Sequence, residues 1–322
     1  KHLTASIELK NPSSCKGVGD DAAVLDYSGL LTLLSTDLLI EGVHFDLSYY
    51  PLKHLGYKAA IVNFSDIAAM GAKPEQITVS MALSNRFSLE AIEEIYSGIR
   101  LECEKYKVDI IGGDTTSSTS GLVISISVMG KARKEDIVYR NTARENDLIC
   151  VSGDLGSAYA GLLILEREKR EFTANPNMQP DLQGYDYALQ RQLKPEARVE
   201  IPDILRKNNI QATSMIDVSD GLASEVLHIA TSSELGCTVY EDKIPIDLLT
   251  NTIAEDFKMD PSILALNGGE DYELLFTVDV NDHEKITKIP EISIIGHMTD
   301  KASGMNLISR SGTSHPLNAQ GW

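Results

Sequence analysis

Short apolar runs that close on a small residue and an acid recur along this chain, as GGD at 112–114, SGD at 152–154 and GGE at 268–270. An apolar run of four to eight residues rich in β-branched side chains suits a strand against a core, while Gly or Ser beside an acid is turn chemistry. Longer stretches with apolar residues at helical spacing separate these runs. The chain is therefore expected to be α/β, of the α+β type, rather than a helical bundle or an all-β fold. No fixed-period repeat or low-complexity tract interrupts the pattern.

Individual elements follow from spacing. Leu30 to Ser35 reads as a buried strand, and Gln76 to Ser84 alternates Ile77, Val79, Met81 and Leu83 on one face. Leu122 to Val128 alternates again, with Leu122, Ile124, Ile126 and Val128 on one side. Pro51 to Gly71 carries Leu52, Leu55, Ala59 and Val62 at helical spacing, with Gly71 and Pro74 as a stop signal. Ser88 is placed to cap a second helix, whose stripe runs Leu89, Ile92, Ile95, Ile99 and Cys103. Beyond Lys131 the sequence turns polar, which puts a domain boundary near residue 140 and gives domains of 1–140 and 141–322. The second half predicts a strand from Leu148, helices at Ala158 to Arg167 and Leu222 to Thr231, a loop at 173–184, and strands at Glu273 to Val278 and Ile292 to Gly296. Met70 and Met81 are assigned to the core and Lys58 to a solvated helix face.

Charge narrows the partners. With 29 basic and 47 acidic residues the net charge is −18 at pH 7. Such a field repels nucleic acid and anionic membranes, and a polyanionic ligand needs cations as mediators. Cys15, Cys103, Cys150 and Cys237 form no CxxC pair and no dense framework, so a reducing compartment is expected. No apolar stretch approaches the roughly 18 residues of a membrane span, and residues 1–10 lack signal-peptide regions. Together these features set the expectation of a cytoplasmic protein.

Acids beside Gly, Ser and Thr are the candidate chemistry: Asp20 and Asp21, Asp37, Asp66, Asp114, Asp217 and Asp220, Glu270 and Asp271. Any one of them alone reads equally as a turn or helix-cap acid. Asp66 is different, because it falls inside a predicted helix between apolar residues, where a carboxylate is costly without a partner. Converging carboxylates repel, and divalent cations relieve the repulsion. Oxygen ligands without clustered His or Cys favour Mg²⁺, Mn²⁺ or Ca²⁺. The hydroxyls of Ser35, Thr36, Thr115 and Ser219, beside glycines that let phosphate approach the backbone, suit a nucleoside triphosphate held through metal. No Walker A loop, GxGxxG turn, HRD, DFG, GxSxG or HExxH appears, which counts against the common NTPase, dinucleotide, protein-kinase, serine-hydrolase and zincin frameworks. No EF-hand loop is present, although a non-catalytic Ca²⁺-stabilised binding module stands as an alternative use of the acids.

The series GVGDDAAV, STDLLIEGVHF, YKAAIVNFSDIAAMGAKP, IIGGDTT, DVSDGL and GGEDYELLF, in this order, closely resembles the thiamine-monophosphate kinase family. That family lies in the superfamily of aminoimidazole ribonucleotide synthetase, selenophosphate synthetase and a hydrogenase maturation protein. The resemblance implies ATP-dependent phosphorylation of thiamine monophosphate to thiamine diphosphate with several Mg²⁺. It further implies two α/β domains, the N-terminal one giving strands to the β-barrel of a homodimer and the C-terminal one an α/β sandwich, with active sites in the cleft between domains. Carried over motif by motif, Asp21, Ser35, Thr36, Asp37, Asp66, Asp114, Asp217 and Asp220 would bind Mg²⁺. Gly113, Arg140 and Ser219 would contact ATP, and His44, Glu270 and Trp322 the thiamine phosphate. Another ATP-using member of the superfamily is the alternative enzyme. A phosphate acceptor with a second pKa of about 6 is largely dianionic at pH 7, so no general base is expected.

Overall fold

The computed structural model describes residues 14–16, 20–26 and 29–319. The chain divides into two compact units between Ile137 and Val138. The first contains β1 (Ser14–Lys16), β2 (Ala23–Asp26), β3 (Leu31–Ile40), α1 (Leu52–Ala69), β4 (Lys73–Leu83), α2 (Leu89–Tyr106), β5 (Asp109–Ser117) and β6 (Val123–Ala132). Its sheet runs β1-β2-β3-β6-β4-β5, with β4 and β5 parallel and the other pairs antiparallel. This is the mixed sheet expected. The sheet is open among the described residues.

The expected alternation in β4 and β6 is present: Ile77, Val79, Met81, Leu122, Ile124, Ile126 and Val128 are all buried. Strand β3 departs from the expectation of a fully buried strand. Leu31, Leu33 and Leu39 are buried, whereas Leu34 and Leu38 on the other face are exposed, so β3 is a two-faced strand that continues through STD to Ile40. The Ser-Thr-Asp and Gly-Gly-Asp segments, expected at strand ends, lie inside β3 and β5.

Helix α1 is enclosed by β3, β4 and β6 on one side and α2 on the other. Its Leu55, Ile61, Phe64 and Ile67 are fully buried, and each such side chain contributes about 1.5–3 kcal/mol. The two helices meet at glycines: a Cβ on Gly56 would sit 1.9 Å from the Ile95 carbonyl oxygen, and one on Gly98 2.0 Å from that of Lys53. The solvated assignment of Lys58 is overturned. That lysine is completely buried, with its ammonium 5.7 Å from the centre of the Tyr50 ring. Ser88 caps α2 as expected, its Oγ accepting from Ala91 N at 3.3 Å. Met70 and Met81 are core residues.

The second unit contains β7 (Leu148–Ser152), α3 (Ser157–Ala174), α4 (Asp186–Leu193), α5 (Ile201–Lys207), β8 (Ala212–Asp217), α6 (Leu222–Ser232) and β9 (Gly236–Tyr240). It continues with α7 (Leu248–Asp256), α8 (Pro261–Asn267), β10 (Leu274–Val278), α9 (His283–Ile286), β11 (Ile292–Thr299), β12 (Met305–Ile308) and β13 (Ser314–Pro316). Its sheet runs β13-β12-β9-β11-β7-β10-β8 and is antiparallel except between β9 and β12. Val226 and Ile229 of α6 pack with Val151, Ile216, Leu275 and Ile295 of the sheet. Ala160, Ile164, Ala188, Ile253 and Leu264 gather α3, α4, α7 and α8 into a further cluster. No helix among the described residues is long and apolar enough to cross a membrane.

Candidate active site

In the first unit the structure gathers Asp21, Ser35 and Asp66, with Asp37 two residues beyond Ser35 on the same face of β3. Carboxylate oxygens of Asp21 and Asp66 lie within 4.8 Å of one another. The Ser35 hydroxyl is 2.9 Å from the Asp21 carbonyl oxygen and 2.5 Å from Asp66 Oδ2, tying a loop, a strand and a helix at one point. Asp66 does lie inside α1, where the Ser35 hydroxyl donates to its carboxylate. Asp20 sits beside them with its side chain buried, 3.5 Å from the Lys16 ammonium, and Asp20 Oδ1 accepts from Asp21 N at 3.1 Å. Burial pushes the Asp37 carboxyl up to about 6.

An all-oxygen donor set suits a hard divalent cation. Two oxygens bound to one ion lie no more than about 4–5 Å apart, and the Asp21 and Asp66 oxygens fall within that limit. The residues present therefore fit Mg²⁺.

Thr36 lies on the opposite face of β3 from Ser35 and Asp37. Its Oγ1 donates to the Ile126 carbonyl at 3.0 Å and accepts from Ser127 Oγ at 3.0 Å, so its hydroxyl is engaged away from the acids. Asp114 is also apart within one chain. Leu38 pairs with Ser125, Ser125 with Ser80 and Ser80 with Asp114, so Asp114 stands three strands from β3, or roughly 14 Å at about 4.8 Å per step. It lies on the exposed edge strand β5. There Tyr96, Ile110, Ile111, Gly112, Gly113, Asp114 and Thr115 line an open groove of about 540 Å³. Gly113 is required by close strand approach, since a Cβ would sit 1.9 Å from the Val79 carbonyl oxygen. Tyr96 was not singled out in the sequence; its half-buried place on α2 is readable only once α2 is laid along β5.

His44 is exposed in the turn after β3. Its Nδ1 accepts from Ile40 N at 3.0 Å, which leaves the proton of the neutral ring on Nε2 as a donor. Glu41, three residues before His44 in the same turn, is structural: its Oε2 accepts from Leu122 N at 2.9 Å and pairs with Arg86.

In the second unit the loop after β8 and the turn before β10 are laced together. Glu270 N donates to the Ser219 carbonyl at 2.7 Å, Tyr272 N to that of Val218 at 2.9 Å, and Val218 N to that of Glu273 at 2.8 Å. These bonds hold Glu270 and Tyr272 at φ +59° and +52°, a region costing a non-glycine residue roughly 1–2 kcal/mol. Asp217 is buried at the end of β8, Asp220 N donates to Glu225 Oε1 at 3.0 Å, and Gln192 Nε2 donates to Glu270 Oε2 at 3.0 Å. Arg140 is half-buried, and its carbonyl accepts from Ser233 Oγ at 3.5 Å. Trp322 lies outside the described residues.

The acids that follow Glu270 have another role. Asp271 is buried and accepts from Gly156 N at 2.7 Å and Ala158 N at 3.3 Å, fixing the start of α3. Burial pushes its carboxyl up to about 7, against the opposing pull of Arg191 and those two amides. Glu273 accepts from Ser152 Oγ at 2.6 Å, Arg191 at 2.9 Å and Arg198 at 2.6 and 2.7 Å. Burial opposes the charge on Arg191, but Glu273, Asp271 and Asp154 outweigh it and hold the guanidinium's pKa above its ordinary value.

A family model described as "AIR synthase related protein, N-terminal domain" matches residues 19–132. The thiamine-monophosphate kinase of Buchnera aphidicola subsp. Schizaphis graminum is 37% identical over 94% of this chain and 90% of its own length. This chain belongs to the thiamine-monophosphate kinase family. The kinase of Bacillus subtilis is 34% identical over 95% of this chain and 92% of its own. The solved structure of AaThiL complexed with AMPPCP and TMP superposes with a TM-score of 0.82 at 31% identity, covering 95% of this chain and 91% of that one. Family membership sets the acids at Asp21 and Asp66 in the context of a kinase rather than a calcium-stabilised module.

Proposed function

We propose that this chain transfers the γ-phosphoryl group of ATP to thiamine monophosphate, giving thiamine diphosphate and ADP. The Asp21–Asp66 carboxylate pair with Ser35 beside it carries the reading, in a member of a kinase family. Asp21, Ser35, Asp37, Asp66, Asp114, Asp217 and Asp220 are the proposed Mg²⁺ ligands. When bound, Mg²⁺ offsets the charge of two phosphate groups that would otherwise repel. Gly113, Arg140 and Ser219 are assigned to ATP, and Tyr96 of the β5 groove offers a ring to its base. His44, Glu270 and Trp322 are assigned to thiamine monophosphate.

The transfer forms one P–O bond from an acceptor phosphate oxygen to the γ-phosphorus and breaks the bond to the β-bridging oxygen, in line. The acceptor is already dianionic, so no side chain needs to remove a proton. His44, with Nδ1 occupied by Ile40 N–H, keeps Nε2–H to donate to an anionic oxygen. A homodimer belongs to this reading: the exposed β5 edge carries Asp114 away from Asp21 and Asp66 of its own chain, and a second copy would bring another such edge.

Incubating the protein with ATP, Mg²⁺ and thiamine monophosphate should yield thiamine diphosphate, and Asp66→Asn should abolish the product with an unchanged circular dichroism spectrum. Binding of Ca²⁺ or Mg²⁺ without any ATP binding or product would instead favour the binding module.

A further inference from the structure

Strand β2 stops pairing with β3 at Ala23 opposite Leu34, so from Ser35 onward that edge of β3 has no strand beside it among the described residues. Helix α1 takes over. Asp66 meets the Ser35 hydroxyl, and one turn earlier Asn63, 1% exposed, places its Oδ1 3.2 Å from Asp37 N, which donates to it. The amide of Asn63 has one workable orientation. Its Nδ2 donates to the Ala59 carbonyl at 3.0 Å, and a flipped amide would set NH₂ against the Asp37 N–H and oxygen against the Ala59 carbonyl.

We propose that Asn63 is a positioning residue for the metal-binding segment: it replaces the missing strand at Asp37 and fixes that carboxylate relative to Ser35 and Asp66. This rests on the metal reading of Asp21, Asp37 and Asp66 given above. Ser35 and Asp37 share the face of β3 that meets α1, and side chains three apart on α1 hold both, so strand and helix present their oxygens in one register. A residue that orients a ligand without touching the ion typically costs 10–100-fold in affinity when removed.

The test is Mn²⁺ binding to the nucleotide-free full chain, followed by electron paramagnetic resonance. Asn63→Leu is expected to weaken binding about tenfold or more, and to raise the Mg²⁺ concentration needed for half-maximal turnover while the KM for thiamine monophosphate stays within about twofold. Asn63→Ser, too short to reach Asp37 N, should behave alike and serves if the leucine variant does not fold. Ile61→Ala, equally buried on α1 but pointing at no ligand, should lower the melting temperature and leave Mn²⁺ affinity unchanged. Unaltered affinity in the Asn63 variants, or an equal loss in Ile61→Ala, would overturn the positioning role. Absence of Mn²⁺ binding by the unaltered chain would overturn the metal reading itself and this role with it.

Discussion

Neutralising Glu273 tests how much of the GGEDYELLF motif is scaffold. The carboxylate is wholly buried and receives Ser152 Oγ and two guanidiniums, so Glu273→Gln keeps the shape but leaves Arg191 and Arg198 facing a neutral amide. Breaking a buried pair by removing one charge costs about 3–5 kcal/mol. Arg191 retains Asp271 at 3.7 Å and Arg198, with 23% of its side chain exposed, retains water, which favours the lower end. For a unit of this size that corresponds to roughly 6–20 °C in melting temperature. Arg198→Gln leaves Glu273 with Arg191 and Ser152 and should cost less, about 1–2 kcal/mol. Urea unfolding followed by far-ultraviolet circular dichroism reads both. A loss below 1 kcal/mol in Glu273→Gln, or a larger loss in Arg198→Gln, would refute the assignment of this acid to structure.

Asp271 gives a pH signature: its carboxyl is raised from 3.8 to about 7, so the folded state holds a proton that the unfolded state releases. Its contribution to stability is therefore greatest below about pH 4, falls by up to about 1.4 kcal/mol per unit as pH rises towards 7, and is flat above that. The stability difference between the unaltered chain and Asp271→Asn, measured by urea titration at pH 5 and 7.5, should shrink with rising pH; growth would contradict the burial argument. Gly98→Ala pushes a methyl to 2.0 Å from the Lys53 carbonyl oxygen and should cost about 1–3 kcal/mol, whereas Gly112→Ala meets only Thr78 Cγ2 at 3.8 Å and should cost well under 1, as thermal melts can compare. Adding Mg²⁺ at 100 times its Kd should stabilise the chain by about 2.7 kcal/mol and EDTA should reverse it, with Asp66→Asn responding little; equal responses would remove Asp66 from the metal centre.

Residues whose environment is set by their own helix or strand were legible in advance. Asp66 stood out because α1's apolar residues surround it in sequence as they do in space, and the alternation in β4 and β6 named the buried face directly. Lys58 reads as solvated from its own helix alone, because its complete burial depends on elements distant in sequence: α1 is covered by β3, β4 and β6 as well as by α2. The Asp271–Glu273 network was equally hidden. The partners of Glu273 at Ser152, Arg191 and Arg198 are 75–121 residues away, and an acid beside glycines looks the same whether it holds a metal or the start of a helix.

The Ser-Thr-Asp segment shows why a contiguous motif need not be a contiguous site. Read as a turn, its three residues would converge; as part of a strand with a two-residue period, Ser35 and Asp37 face α1 while Thr36 faces Ser127 across β6. Extended backbone places the two inward oxygens about 6–7 Å apart along the strand, too far to be oriented by each other. Orientation must then come from a second element whose period brings side chains back to the same line, and α1 supplies it with Asn63 and Asp66 three residues apart. The unpaired edge of β3 is what leaves room for this arrangement, since a continuing β2 would occupy Asp37 N and displace the helix side chains from the strand.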